Sequence, residues 1–147
     1  MFAQSALRYS FTKRGRAAVV AAYQAAYDRH CDYLGTEHLL LGLIADPTDP
    51  IIALILSSGG VASGDVRERV ETITGHPAGR PRLAHLPQTP NLRLVLRHGH
   101  EASLRVGHCD IDTTHLACGL LATPSTAAKI LAECGLDLPL LHEHLHR

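Results

Sequence analysis

The sequence predicts an all-α fold, eight helices in two pseudo-two-fold related four-helix repeats, and three observations predict it. The stretch Gly35-Thr36-Glu37-His38-Leu39-Leu40-Leu41-Gly42-Leu43-Ile44 returns in altered form as Asp112-Thr113-Thr114-His115-Leu116-Ala117-Cys118-Gly119-Leu120-Leu121, 77 residues further on. The same offset lays Thr12 on Thr89, Arg16 on Arg93, Ala25 on Ala102 and Leu34 on Ile111, and an offset of 75 pairs Ala53 with Ala128, Leu56 with Leu131 and Gly60 with Gly135. No segment alternates apolar and polar residues as a half-buried strand does, whereas caps, prolines and glycines punctuate the chain at helical lengths.

Each element follows from its own residues. Residues 1 to 11 form an apolar arm carrying Phe2, Leu7, Tyr9 and Phe11. Thr12 is placed to cap a first helix running to about His30, with Ala18, Ala22 and Ala25 at helical spacing. Lys13, Arg14 and Arg16 load its first turn with positive charge, which opposes the helix dipole and invites an anion. Thr36 is expected to cap a short second helix whose Leu39, Leu40, Leu43 and Ile44 are core. Asp49 caps and Pro50 opens a third, which ends at Gly59-Gly60. A fourth, from about Gly64 to Thr74, turns Val66, Val70 and Ile73 inward and is closed by Gly75. The second copy repeats the plan from Thr89-Pro90, Thr113, Ser125 and Asp137-Leu138-Pro139.

At 147 residues, two separate halves are too small to bury their own cores comfortably, so 1–147 reads as one domain. Repeat one is 11–75, the Pro- and Gly-rich linker 76–88, and repeat two 89–147. Hydrophobic residues make up 46% and charged ones 19%, which excludes a disordered chain. A formal net charge of zero removes the basic footprint that nucleic acid demands. The longest apolar runs fall far short of the roughly 18 residues that span a bilayer. Phe11-Thr12-Lys13-Arg14 also interrupts the N-terminus before any secretory core. No membrane association and a cytoplasmic location are therefore expected. Cys31, Cys109, Cys118 and Cys134 form no CxxC pair and are expected as buried free thiols.

Chemistry is sparse. No GxSxG elbow is present, and the four cysteines have no identifiable His and acidic partners, so no enzyme is expected. His108-Cys109 and His142-Glu143-His144-Leu145-His146 offer possible ligands without the spacing of a metal site, and no metal or cofactor is expected. The repeated histidines His38 and His115 read as anchors that hydrogen-bond the start of their helices. Glu37, on a first helical turn, reads as exposed or paired; beside Thr12 it would make a two-part site, free N–H groups for an anion and a carboxylate for a guanidinium.

Phe11-Thr12 followed at the same separation by Gly-Thr-Glu-His-Leu-Leu-Leu-Gly-Leu, with its weaker second copy, resembles the N-terminal repeat domain of the Clp-family ATPases, most closely the ClpC type. The resemblance covers nearly the whole chain from residue 11. It implies a domain that docks Clp components, adaptors and substrates, recognising phosphorylated arginine by a capped helix N-terminus and the motif glutamate. Carried over, it places Thr12 and Glu37 in one site and Thr89 in the other, where Thr114 replaces the glutamate. Losing a charge-assisted hydrogen bond of about 1.5 to 3 kcal/mol should weaken that second site roughly tenfold or more. Gly15 and Leu92 depart from the family's usual alanine, and no GxxxxGK[ST] loop marks an ATPase module. The resemblance also implies a second use, sequestering the cyclic-peptide antibiotics that target ClpC. Phe2 and Phe11 near Arg16 and Arg93 would suit them, while Gln88, where the family often has an aromatic, counts against an apolar macrocycle.

Overall fold

In a computed structural model, described for residues 9–29, 31–46, 48–74 and 86–146, the described residues form eight helices. They are α1 (Lys13–Asp28), α2 (Thr36–Ile44), α3 (Pro50–Ser58), α4 (Ser63–Thr74), α5 (Pro90–Arg105), α6 (Thr113–Ala122), α7 (Thr126–Glu133) and α8 (Leu138–His146). No strand is present among these residues; two isolated bridges, Phe11 to Ile111 and Leu34 to Gln88, are the extended contacts. Phe2 and most of the expected linker lie outside the described residues.

The starts of the helices are set by short side chains. Thr12 Oγ1 accepts from Gly15 N at 3.1 Å, and Thr89 Oγ1 accepts from Leu92 N at the same distance. Asp49, Ser125 and Asp137 cap α3, α7 and α8 in the same way. Gly60 and Gly135 end α3 and α7 with φ of 64° and 99°, a conformation that glycine adopts at no steric cost.

The motif helices form the centre. Eight of nine residues in α2 and eight of ten in α6 are buried, so each must be covered on all sides. α1 covers α2 antiparallel: Gly42 lies against Ala18 and Ala22, and the C-terminal end of α2 (Ala45, Asp46) reaches Lys13 and Arg14. α5 covers α6 likewise, Gly119 against Val95 and Gly99 against His115. α2 also meets α7, and α6 meets α3, so one apolar core runs through both repeats, with Tyr23, Leu39, Leu116 and Ile130 fully buried in it.

Buried hydroxyls tie the repeats together reciprocally. Thr36 Oγ1 accepts from Ala127 N at 3.2 Å at the start of α7. Thr113 Oγ1 donates to Asp49 Oδ2 at 2.8 Å, while Asp49 Oδ1 accepts from Ile51 N and Ile52 N at the start of α3. Each motif helix thus caps the third helix of the other repeat, directly in one direction and through Asp49 in the other. Asp49 is 2% exposed, so Asp49→Ala removes a cap and strands a buried hydroxyl. A loss of about 2 kcal/mol in urea unfolding is expected, against about half of that for Asp49→Asn, which keeps one acceptor.

Three expectations change and one is narrowed. Thr36 is not the cap of α2: Gly35 is, and the Thr36 hydroxyl is turned to α7. Ile73 is 37% exposed, because α4 has only Val66 and Val70 on its buried line. Cys109 is exposed in the loop after α5 and Cys134 is half-buried, while Cys31 and Cys118 are buried and all four thiols are free. Glu37 is not exposed but takes the other of the two expected states, paired: it is buried, 6% exposed, and accepts from the Tyr33 hydroxyl.

Candidate functional site: two clefts shared between the repeats

Residues 10–12 and 87–89 bond to the opposite repeat. Thr12 N donates to Ile111 O at 3.0 Å and Ile111 N to Ser10 O at 2.8 Å. The copy of this pattern is Thr89 N to Leu34 O at 3.0 Å and Leu34 N to Pro87 O at 2.9 Å. The N-terminus of α1 therefore abuts the loop before α6, and that of α5 abuts the loop before α2.

This crossing redistributes the expected site residues. Because α2 runs antiparallel to α1, Glu37 lies at the far end of α1 from Thr12, roughly 24 Å away for a 16-residue helix. The expected Thr12–Glu37 site does not assemble. Glu37 instead lies against Gly35, next to the Leu34 carbonyl that receives Thr89. Thr12 shares its cleft with Asp112 and Thr114.

In the first cleft, the Tyr33 hydroxyl donates to Glu37 Oε2 at 3.0 Å. Burial first, and then the Glu37 carboxylate, push the Tyr33 phenol above its ordinary pKa, so it remains a donor. A side chain at Gly35 would collide with Glu37 Oε1 and approach Tyr33 Cε2 to 3.1 Å, so the tyrosine–glutamate pair would have to shift. His38 Nδ1 accepts from Gly35 N at 3.0 Å, the anchoring role expected of it. On the α5 side, the exposed Arg93 donates Nη1 to Gln88 O at 2.9 Å. Buried Gln88 stands where the other repeat has the half-buried Phe11.

The second cleft opens into a cavity of about 780 Å³ lined by Thr12, Arg105, His108, Asp112, Thr114 and His115 among others. Thr12 Oγ1 donates to Asp112 Oδ1 at 2.7 Å. That acceptor is absent from the residues expected at the site; the signal for it is the aspartate that stands in the place of Gly35. His115 Nδ1 accepts from Asp112 N at 2.9 Å, and the His108 ring meets the His115 ring edge-on at 5.7 Å between centroids. Arg16 is exposed on α1, and Phe11 packs against the core from the bridge to Ile111.

Fold and clefts define the class, an all-α domain built of a helical repeat doubled about a pseudo-two-fold axis with its clefts crossed between copies. The chain belongs to the Clp repeat N-terminal domain family, whose profile matches residues 10–103 and 88–147. It is 34% identical over 137 residues to the chloroplastic chaperone protein ClpC of pea, covering 92% of this chain but 15% of that protein. The N-terminal domain of ClpD from Arabidopsis thaliana superimposes with a TM-score of 0.73 at 25% identity, covering 92% and 91% of the two chains. The ClpV N-domain, solved with a VipB peptide, shares the fold at a TM-score of 0.70 and 17% identity over 92% and 84%. Among the described residues, no helix is long and apolar enough to cross a membrane.

Proposed function

We propose that the chain is a non-enzymatic docking domain that presents protein segments or adaptors to a Clp ATPase in the cytoplasm, and that the Thr89–Glu37 cleft takes a phosphorylated arginine. The observation that supports this is the crossing itself. It sets a capped helix N-terminus from one repeat beside the motif carboxylate of the other. Pro90 has no N–H and Thr89 caps Leu92, so the Asn91 N–H is the donor left at the start of α5. With the helix dipole and the nearby Arg93 guanidinium, it suits a phosphoryl group. Glu37 Oε1, the oxygen that Tyr33 does not engage, suits the guanidinium. The chain spans about one-sixth of the length of the curated relatives it matches.

Calorimetric titration with free phosphoarginine tests the reading. Saturable binding is expected, weakened roughly tenfold or more by Glu37→Gln, which removes the charge at constant shape, and to a similar degree by Thr89→Ala. Absent phosphoarginine heat beside tight binding of a cyclic peptide that targets ClpC would overturn it in favour of antibiotic sequestration. Gln88, polar and buried in a slot that holds an aromatic in the other repeat, opposes that outcome.

A further inference from the structure

The second cleft differs from the first at three positions that change together. Tyr33, Gly35 and Glu37 correspond to Asp110, Asp112 and Thr114. In the first, tyrosine closes on glutamate across a glycine. In the second, both large side chains are gone, and the open cavity has two carboxylates, Asp110 and Asp112, against the one guanidinium of Arg105.

Two further features set its chemistry. His115 is 8% exposed and lines the cavity. Since its Nδ1 accepts from Asp112 N, the neutral ring carries its proton on Nε2, at the opposite edge, and that donor has no hydrogen-bond partner among the described residues. Asp112, held by Thr12 Oγ1, stands at the N-terminus of α1, where the helix dipole would otherwise draw an outside anion. The chain supplies its own anion there.

We propose that this cleft binds an unphosphorylated arginine or lysine side chain of an extended peptide. The cationic head meets Asp112 and Asp110, the aliphatic stem lies along Val106 and Leu145, and a peptide carbonyl accepts from His115 Nε2. A phosphoryl group is disfavoured, because Asp112 already fills the α1 terminus and repels a like charge. The inference rests on the docking reading and assigns the two clefts different chemistry: tagged arginine at Thr89–Glu37, plain basic residues at Thr12–Asp112.

The test is NMR titration of the protein with N-acetyl-arginine amide and, separately, phosphoarginine, following the His115 ring and Thr114 amide for the second cleft and Glu37 and Thr89 for the first. N-acetyl-arginine amide is expected to shift the second-cleft signals. Asp112→Asn, which keeps an acceptor for Thr12, should weaken that binding roughly tenfold, and Glu37→Gln should leave it unchanged. Asp110→Asn, away from the Thr12 contact, gives a second reading of the same charge. Unmoved His115 signals, wild-type affinity in both Asp variants, or a preference for phosphoarginine at this cleft would each overturn the proposal. Silence of the first cleft toward phosphoarginine is read on separate signals and counts against the Thr89–Glu37 reading alone.

Discussion

Gly42→Ala is expected to lower the unfolding free energy by about 3 kcal/mol, read as a fall in the urea midpoint with little change in slope. A Cβ at this position would collide with the Ala18 carbonyl oxygen and stand 2.8 Å from Ala22 N and 3.2 Å from Ala22 Cα. These are backbone atoms of α1, so relief cannot come from a rotamer change, and the two helices must part. Parting them opens the most tightly packed layer of the first repeat, where Ala18, Ala22, Leu39 and Leu43 are at most 5% exposed. Gly119→Ala meets the same obstacle in the second repeat, with the Val95 carbonyl carbon and Cγ1 both 3.2 Å from the added atom. Gly64 provides the contrast: nothing lies within 4 Å of a Cβ there, and alanine in α4 should raise stability by about 0.5 to 1 kcal/mol. Equal midpoints for Gly42→Ala and the wild type would mean that the helices do not cross this closely.

Helix order, caps and the buried motif were legible because each is written locally: Thr12, Asp49-Pro50, Thr89-Pro90 and Ser125 act on the turn that follows them. The anchoring of His38 and His115 is local too, three residues from the N–H that each accepts. What local reading missed is tertiary. Thr36 looks like a cap, but Gly35 already serves, and the hydroxyl is used 91 residues away. Ile73 fits the helical period of α4, yet it stands 37% exposed while Val66 and Val70 on the same helix are buried. Thr12 and Glu37 belong to one repeat, which suggests one site; the antiparallel packing of α1 on α2 sends them to opposite ends, and the swapped bridges to Ile111 and Leu34 decide the real neighbours. Glu37 is covered because Tyr33, four residues earlier, reaches back over Gly35, a contact that the first-turn position alone does not announce.

Acid should destabilise the fold through His38 well before the protein reaches the range where most carboxylates titrate. The ring is 1% exposed, and its Nδ1 must stay unprotonated to accept from Gly35 N. Desolvation holds its pKa down at about 4, against an ordinary value of 6.5, with the Glu37 carboxylate pulling the other way. The unfolded chain therefore takes up a proton near 6.5 that the folded chain refuses until about 4. Between those values the unfolded state binds more protons, so stability rises with pH. The contribution is complete above 6.5, shrinks as pH falls, and is lost below about 4, a swing on the order of 3 kcal/mol. His115, lowered chiefly by desolvation, acts in the same direction. Urea unfolding of the wild type and His38→Asn at steps across this window checks the assignment. Asparagine can place Oδ1 near the Nδ1 position and accept from Gly35 N, but it does not titrate. The variant is expected to be less stable near neutrality and much flatter toward acid, so that the two curves converge. Parallel curves would show that acid acts elsewhere, and that the motif histidine anchors the helix without gating its stability.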